Sequence, residues 1–356
     1  MIKICFFSTN AYSVIKGERA GGTELNLFFI AKELKKYNIK SFFLTGDFKQ
    51  NKTKKIQDIS FYKVKNLNST SNKLIRWINI IKKFFFIDAD VFFISAFSIY
   101  IFPLFFICKF IRGKKLIFRV ASKRDIDGYF TKTNILKHNL YKLALKSCDK
   151  IIIQNNEDNI LLAKNYNVKG IVIKNGWKIN NDKIHKKDFF LWIGRAETTK
   201  KPELFLELAK KLPHKKFVMI MPGSSLYKDK IVNEIKLIKN MQFYDFIDYK
   251  KIDIFFKKAE CFINTSEFEG FPNTFIQSFM NYTPILSFNV NPDNIINKYN
   301  LGFFSNNNIE KSIEFLKILN NKKINFLGQN CYNYVSKQHN IKIIGIKYAN
   351  LIKEMF

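Results

Sequence analysis

The segment NTSEFEGFPNTFIQSFMNY, residues 264–282, decides the fold of the second half of the chain. It follows Cys261–Ile263, an apolar run of strand type, and it contains Gly270 and Pro272, which typically interrupt regular structure. Beyond the proline, apolar residues recur at helical spacing. The segment therefore predicts a strand, a short acidic loop and a helix, in that order.

A helix that begins directly after such a loop creates a site for an anion. Its first N–H groups have no partner within the helix and lie at the positive end of the helix dipole, where phosphate groups bind. Glu267 and Glu269 lie in the same loop, and their carboxylates can accept hydrogen bonds from hydroxyl groups. We therefore expect this loop to bind a sugar phosphate.

The loop also resembles the signature of a known enzyme family. Retaining family 4 glycosyltransferases carry Glu-Gly-Phe and a second Glu further on, and the chain has Glu269-Gly270-Phe271 followed by Gln277. The resemblance implies that Glu269 contacts the donor sugar and that Gln277 contacts the nucleotide ribose. It also implies that the residues between them line the donor site, namely Gly270, Phe271, Pro272 and Asn273.

Gln277 departs from the family signature, which has a carboxylate at this position. A carboxylate accepts two hydroxyl hydrogen bonds with charge assistance, whereas an amide accepts on one atom and donates from the other, for about half the strength. We therefore expect this chain to bind the nucleotide more weakly than family members that have Glu at this position.

A second stretch, GRAETTKKP at residues 194–202, follows the predicted strand Asp188–Ile193. It resembles the family pattern of Gly-Arg, four residues and Lys, which implies that Gly194 belongs to the donor site. By the same resemblance Arg195 and Lys200 neutralise the donor diphosphate and act in catalysis with Glu269. An Arg fork binds phosphate oxygens at two points, and a Lys acts as a point charge. Alone, such a cluster is more often solvated surface, but its order relative to residues 264–282 favours function.

The first half of the chain alternates between strand and helix patterns. Ile2–Ser8 predicts a strand, Thr23–Tyr37 a helix and Ile39–Thr45 a second strand, the order typical of a doubly wound parallel sheet. Further strands are predicted at Val91–Ala96, Lys115–Ala121, Lys150–Gln154 and Gly170–Ile173. The alternation restarts in the second half, with strands at Asp188–Ile193, Lys216–Met221 and Pro284–Phe288, a short strand near Gly302 and a helix at Glu203–Leu212.

The predicted loop Thr9–Gly22 is longer than an ordinary strand-to-helix connection and ends in Gly21-Gly22-Thr23. Two glycines permit close approach of the backbone to a ligand, and Thr23 can cap the following helix. A Gly-Gly pair before a helix is also often only a turn. Its resemblance to the Gly-Gly loop of family 4 enzymes implies that Gly21 and Gly22 lie beside the donor phosphates.

With 356 residues the chain exceeds the size of one hydrophobic core, so two domains are expected. The resemblance implies an α/β GT-B fold, in which two Rossmann-like domains with doubly wound parallel sheets face a cleft. It places the acceptor side at residues 1–180 and the nucleotide-sugar side at 187–340, with residues 341–356 packed back on the first domain. The Asn175-Gly176 turn would close the first domain, and the hinge would lie between Trp177 and Lys187.

The family often supplies a His after the strand that ends here near Val120. The corresponding residues 119–127, RVASKRDID, contain none. In this chain the polar residue of the cleft wall would therefore be one of four, and the sequence leaves the choice open: Ser122, Arg124, Asp125 or Asp127.

The net charge is +31, from 60 Lys and Arg against 29 Asp and Glu. This excess favours an anionic partner, either a phosphorylated substrate or an anionic membrane surface, although the abundance of Lys, Asn, Ile and Phe also fits drift in an A+T-rich genome. No zinc-finger spacing, Arg-rich helix or RNA-binding aromatic motif is present, so we expect no nucleic-acid partner.

Two segments bear on membranes. Residues 72–86, NKLIRWINIIKKFFF, have the pattern of a basic amphipathic helix. Such a helix can lie on an anionic membrane or pack on the sheet with solvated lysines outside, and the two interpretations are compatible. Val91–Cys108 is long and uncharged enough to be a transmembrane candidate. Pro103 interrupts it, which favours a buried strand followed by a short apolar helix that ends near Arg112-Gly113.

The five cysteines are odd in number and far apart, and the four histidines form no ligand-spaced cluster. We therefore expect neither a disulfide framework nor a bound metal. The chain opens directly as a strand rather than as a secretory leader, so we expect a cytoplasmic protein, peripheral on the inner face of the cell membrane if it touches lipid.

The predicted function is a retaining, metal-independent glycosyltransferase. It would move a hexose or related sugar from a nucleotide-sugar, UDP- or GDP-linked, to a glycan or lipid-linked acceptor in polysaccharide or lipopolysaccharide synthesis of the cell envelope. No separate cofactor is expected. Two alternatives are a protein of the same fold that binds a glycan or nucleotide without turnover, and a basic protein that binds membrane surfaces or nucleic acid through its charge.

Overall fold

The computed structural model describes residues 1–19, 21–67, 73–131, 133–179, 186–249 and 251–356. The chain forms two compact α/β units. The first comprises Met1–Lys178 together with Asn340–Phe356, and the second comprises Ile179–His339. The predicted hinge between Trp177 and Lys187 lies largely outside the described residues, because 180–185 are not among them.

The first unit is built on one sheet whose strands are β1 (Ile2–Phe7), β2 (Ile39–Thr45), β3 (Thr53–Ile56), β4 (Ile59–Lys63), β5 (Val91–Ser95), β6 (Lys115–Arg119), β7 (Lys150–Ile153) and β8 (Ile171–Val172). The spatial order is β3-β4-β2-β1-β5-β6-β7-β8. Only the β3–β4 hairpin is antiparallel among the described pairs. Strands such as β5 are mostly apolar, VFFIS, because a parallel sheet is covered on both faces.

The helices of the first unit are α1 (Ala11–Lys16), α2 (Gly22–Leu34), α3 (Lys73–Phe86), α4 (Ile101–Phe106), α5 (Ile135–Lys146) and α6 (Glu157–Tyr166). Helix α1 corrects the prediction that residues 9–22 form one long loop. Its apolar side chains, Tyr12, Val14 and Ile15, are buried, and it ends at Gly17 in the left-handed conformation. Six residues are too few to show a helical period in the sequence.

The apolar stretch Val91–Cys108 folds as the buried strand β5 followed by α4, which continues as a π-helical turn at Ile107–Ile111. Pro103 lies in the first turn of α4, where its missing N–H has no partner to lose. Within the described ranges, no helix combines the length and apolarity that a membrane crossing requires.

The second unit contains a parallel sheet with strands β9 (Phe189–Ile193), β10 (Phe217–Ile220), β11 (Met241–Tyr244), β12 (Ala259–Asn264), β13 (Ile285–Ser287) and β14 (Gly302–Phe304). Their order is β11-β10-β9-β12-β13-β14. The helices are α7 (Pro202–Lys211), α8 (Leu226–Ile235), α9 (Asp253–Lys258), α10 (Asn273–Met280), α11 (Ile295–Lys298), α12 (Ile309–Lys317) and α13 (Asn321–Gln338). All described strand pairs in this sheet are parallel.

The last helix, α14 (Ile341–Lys353), returns to the first unit. The amide of Ile341 donates to the carbonyl of Trp177 at 2.9 Å. A side chain at Gly176 would lie 2.7 Å from Ile341, so only glycine lets the helix approach this turn so closely. The chain thus leaves the first unit and re-enters it at neighbouring residues.

A buried polar cluster fixes the same turn from within the first unit. The guanidinium of Arg119, at the end of β6, bonds to the side-chain oxygens of Asn26 and Asn175 and to the hydroxyl of Ser95. The amide group of Asn26 donates to the carbonyl of Gly176 at 2.9 Å. Helix α2, strand β6 and the Asn175-Gly176 turn are therefore held together by hydrogen bonds as well as by apolar packing.

Candidate functional site

The topology of the second sheet indicates where a ligand would bind. Strand β9 lies between β10 and β12, and the chain runs outward from β9 to β11 before it returns to β12. Ligands of open parallel sheets bind beyond the carboxyl ends of the strands at such a switch point. Two loops leave those ends: Gly194–Lys201 after β9 and Thr265–Pro272 after β12. Both contain residues predicted from the sequence to bind the donor.

The two loops meet in an ion pair. The ammonium of Lys200 contacts the carboxylate of Glu269, and both side chains are mostly buried, with exposed fractions of 17% and 23%. The hydroxyl of Ser266 donates to the same carboxylate oxygen, Oε1, at 3.0 Å. The structure therefore brings together two of the three residues predicted to act in catalysis and holds both in defined positions.

Further hydrogen bonds hold the two loops together next to this pair. The hydroxyl of Thr265 donates to the carbonyl of Lys200 at 2.6 Å and accepts a hydrogen bond from the indole N–H of Trp192 at 2.8 Å. The amide of Glu267 donates to the carbonyl of Thr199 at 2.9 Å. The sequence does not mark Trp192 and Thr265 as positioning residues, because their partners are distant in the chain. Ser266 also went unpredicted, although its partner Glu269 is only three residues away.

Arg195, the third predicted catalytic residue, lies at the carboxyl end of β9 but does not join the Lys200–Glu269 pair. Its guanidinium contacts Glu197 at 3.1 Å, and its side chain is 64% exposed. Gly194 precedes it, and a side chain there would meet the ring of Trp192 at 2.8 Å. Glycine at this position thus leaves room for the indole that supports Thr265.

The remaining donor-site candidates follow Glu269 along the chain. Pro272 is the capping residue of α10, and no side-chain hydrogen bond caps this helix, whose first residue is Asn273. The ring of Phe271 is buried and packs against Phe275 and His339, so the ring belongs to the core of the unit. A ligand contact of Phe271 would therefore have to come from its backbone.

Gln277 lies one turn after Asn273 on α10, so the two residues share a face of the helix. Its side chain is buried, with 7% of the residue exposed. The backbone carbonyl of Gln277 accepts a hydrogen bond from the side chain of Asn281 at 2.8 Å. A buried amide on the helix that starts at the donor loop is a suitable position for the predicted ribose contact.

Gly21 and Gly22 belong to the first unit, where Gly21 precedes α2 and Gly22 begins it. A side chain at Gly21 would lie 2.7 Å from atoms of Glu24 and of Val14, so helices α1 and α2 are closely packed at this point. Packing alone accounts for Gly21. Contact of either glycine with a phosphate stays a prediction.

The four residues left open for the polar wall after β6 have structural partners. Asp125 accepts three backbone hydrogen bonds, from the amides of Phe97, Ala121 and Ser122, and burial raises its pKa. The hydroxyl of Ser122 accepts from the amide of Arg124. The guanidinium of Arg124 lies over the ring of Tyr129, and Asp127 accepts from the amide of Tyr129. The contacts do not single out one of the four.

Among the described residues, no group of three or more His, Cys, Asp or Glu side chains has the arrangement of a metal site. Arg195, Lys200 and Lys201 provide positive charge at the switch point, and each is paired with a glutamate of the same two loops.

Residues 174–337 match the family model described as glycosyl transferases, group 1. This range contains both loops of the switch point. A curated relative from Methanocaldococcus jannaschii, named "uncharacterized glycosyltransferase", is 26% identical over 183 residues. The match covers 45% of this chain and 44% of that relative, so the chain is matched over less than half of the relative's length.

Solved structures match the whole chain. Sucrose-phosphate synthase from Thermosynechococcus elongatus has a TM-score of 0.81 at 12% identity, covering 100% of this chain and 99% of that one. A TarM variant from S. aureus, in complex with Fondaparinux, alpha-GlcNAc-glycerol and UDP, has a TM-score of 0.75 at 15% identity, covering 99% of both chains. The predicted α/β fold with two Rossmann-like parallel-sheet units of the GT-B type is confirmed.

Proposed function

We propose that this chain is a retaining glycosyltransferase that moves a sugar from a nucleotide-sugar to a glycan or lipid-linked acceptor. The group 1 family match of residues 174–337 supports the class of reaction. The observation that carries the proposal is the Lys200–Glu269 ion pair at the switch point of the second sheet. A cation for the diphosphate and a carboxylate for the sugar hydroxyls are placed side by side, as a nucleotide-sugar requires.

The pair suggests how the donor would be held. A diphosphate that reaches Lys200 offers the ammonium a doubly charged partner in place of Glu269. The carboxylate of Glu269 is then released to accept hydrogen bonds from the sugar. Because Ser266 keeps its hydrogen bond to Glu269, the carboxylate stays in position during this exchange.

Departure of the nucleotide is the step that most needs stabilisation, since negative charge builds up on the diphosphate. Arg195, Lys200 and the uncapped N-terminus of α10 can offset this charge as the sugar leaves. In other phosphate enzymes a metal ion has this role. We propose that these groups replace it here, so that transfer proceeds without a metal.

The donor is proposed to be UDP- or GDP-linked. UDP-sugars come first because the similar TarM structure holds UDP. For the acceptor we propose a glycan or lipid-linked saccharide of the cell envelope, made in the cytoplasm, since a net charge of +31 suits an anionic saccharide or lipid carrier.

Thermal unfolding with UDP-, GDP-, ADP- and CMP-sugars, each with and without EDTA, tests the proposal. A ligand that binds only the folded state raises the melting temperature by mass action. We expect one nucleotide class to raise it equally with and without EDTA. Lys200→Ala should abolish the shift, and the exposed Lys239→Ala should keep it. No shift with any nucleotide would refute the donor site, and a shift that EDTA removes would refute metal independence.

A second candidate, binding of a nucleotide-sugar without turnover, is favoured by Gln277 in place of the second carboxylate. The two candidates differ in nucleotide release. A transferase releases free nucleotide when donor and acceptor, or donor and water, are incubated with it, whereas a binding protein leaves the donor intact over the same hours.

A further inference from the structure

A pocket of the first unit lies where its sheet meets the C-terminal end of α3. It has a volume of about 510 Å³, and its lining includes Lys3 near the start of β1, Lys40 near the start of β2, Lys52 and Lys83. Lys3 and Lys40 lie at the amino ends of β1 and β2, whereas Lys52 is hydrogen-bonded through its backbone to Lys63 at the carboxyl end of β4. All lining residues belong to the first unit and none is a donor-site candidate, so the pocket is separate from the proposed donor site.

The lysines of this pocket are poorly neutralised. Lys3 is paired with Asp88, which also lines the pocket. Lys40, Lys52 and Lys83 have no ion-pair partner among the residues that the structure describes. Burial and the neighbouring charge of Lys52 lower the pKa of Lys83. Three unpaired ammonium groups around one cavity favour an anion that carries several acceptor oxygens, such as a phosphate group.

Helix α3 connects this pocket to an exposed apolar surface. Only Ile80 and Phe84 of the helix are buried. Trp77 is half-buried and packs against the same core. Six other apolar side chains are exposed, from 41% for Ile81 to 77% for Phe86, and those at helical spacing form one stripe: Leu74, Ile78, Ile81 and Phe85. Phe86 also lines the pocket. The helix therefore packs one apolar side on the core, as one interpretation of residues 72–86 predicts, and leaves a second apolar stripe exposed.

The adjacent helical segment extends the apolar surface. Helix α3 contacts both α4 and the π-helical turn that follows it. On that segment Phe106, Phe110 and Ile111 are 54%, 65% and 50% exposed. Neither α3 nor residues 101–111 contain an acidic side chain, whereas α3 carries Lys73, Lys82 and Lys83. Exposed apolar surface of this extent marks an interaction site.

We propose that α3, residues 101–111 and the lysine pocket together form a docking surface for an anionic lipid bilayer. The stripe and the exposed phenylalanines enter the interface between headgroups and acyl chains, and the pocket receives a lipid phosphate. Charge argues for a bilayer over a second copy of the chain, since a symmetric contact would bring the same unneutralised lysines against one another. The proposal is independent of the proposed transfer reaction.

Co-sedimentation of the full chain with vesicles tests the proposal. Neutral phosphatidylcholine vesicles are compared with vesicles that contain roughly a third phosphatidylglycerol, at moderate salt. We expect wild type to prefer the anionic vesicles. Each lysine near an anionic surface multiplies binding about fivefold, so Lys40→Gln/Lys52→Gln/Lys83→Gln should lower it about 100-fold. The matched control is Lys311→Gln/Lys317→Gln/Lys322→Gln, which removes the same charge from exposed positions of the second unit.

A second pair of variants tests the apolar stripe. Ile78→Ser/Ile81→Ser should weaken binding at least tenfold, while Leu226→Ser/Leu237→Ser should bind as wild type does, although these leucines are 89% and 82% exposed. Melting temperatures confirm that each variant is folded. Equal vesicle binding by the pocket and control triples would overturn the proposal. The proposal would also be overturned if the pocket triple variant lost binding of inorganic phosphate but still bound the vesicles as wild type does. A third contradicting result would be a wild-type dimer that Ile78→Ser/Ile81→Ser converts to a monomer that still binds vesicles.

Discussion

The ammonium of Lys200 and the carboxylate of Glu269, 69 residues apart in the sequence, form an ion pair where two neighbouring parallel strands end. Hydrogen bonds hold both residues in place. The hydroxyl of Thr265 donates to the backbone carbonyl of Lys200, and the hydroxyl of Ser266 donates to the carboxylate of Glu269. The pair is therefore arranged before any ligand arrives, and such preorganisation is a main source of electrostatic catalysis.

Lys200→Ala and Arg195→Ala should each lower turnover roughly 10²-fold or more, on the scale of removing one preorganised stabilising group. Lys200→Ala should also weaken donor binding, because it leaves Glu269 facing the diphosphate without a cation. Nucleotide release under saturating donor measures turnover, and Lys239→Ala, an exposed change in the same unit, is the control. Near-normal turnover in both variants would contradict the roles assigned to these residues.

Gln277→Glu should strengthen nucleotide-sugar binding and destabilise the free protein. A carboxylate facing the ribose gains a charge-assisted hydrogen bond, worth about 1 kcal/mol, which corresponds to roughly fivefold in Kd. The same charge, buried on α10, costs stability when no ligand is present. Calorimetric titration and the melting temperature of the free protein measure the two effects, with Gln277→Met as a control of similar size. Unchanged affinity would remove the ribose role.

Asp158 should make stability depend on pH. Burial raises its pKa from 3.8 to about 6, against a smaller opposite effect of Lys123. Between these two values the folded state binds more protons than the unfolded state, so the free energy of unfolding falls as pH rises from 4 to 6. Asp158→Asn removes this loss and should stabilise the protein at pH 7 by roughly 1–3 kcal/mol.

Urea unfolding of wild type and Asp158→Asn at several pH values between 4.5 and 8 measures this effect. Other groups contribute equally to both proteins, so the difference between the two curves reports on Asp158 alone. We expect the curves to separate as pH rises and to stay apart above pH 7. Parallel curves across the whole range would show that the carboxyl of Asp158 titrates normally.

Gly302→Ala should be much more destabilising than Gly113→Ala, although both glycines have positive φ. At Gly302, with φ of 147°, a side chain would lie 1.8 Å from the carbonyl oxygen of Ile285 on β13. At Gly113, with φ of 57°, it would meet nothing within 4 Å. Backbone strain alone costs about 1–2 kcal/mol, and the clash should bring Gly302→Ala above roughly 3 kcal/mol. Equal urea midpoints for the two variants would contradict the packing of β14 on β13.

The sequence predicted those parts of the fold that depend on local pattern. The predicted strands begin and end within two residues of the observed ones, because buried parallel strands are apolar runs bounded by polar residues. Elements with few apolar residues were missed. Strand β3 reads TKKI and is exposed over most of its length, and α8 reads LYKDKIVNEI, in which four of ten residues are charged.

For the candidate site, the residues could be found from the sequence but their pairing could not. The resemblance assigned Arg195 and Lys200 to one role, yet the structure turns Arg195 toward Glu197 and Lys200 toward Glu269. Side-chain direction at the end of a strand depends on the neighbouring strand, and no local pattern encodes that neighbour. Thr265 and Trp192 went unnoticed for the same reason.

The return of the chain at Trp177 and Ile341 makes residues 179–339 a single insertion within an otherwise continuous first unit. One recombination event with its two breakpoints at these neighbouring positions would exchange the proposed donor-binding unit as one cassette. The order of strands in the recipient fold would stay unchanged. Such an exchange would leave the lysine pocket and helix α3 in place.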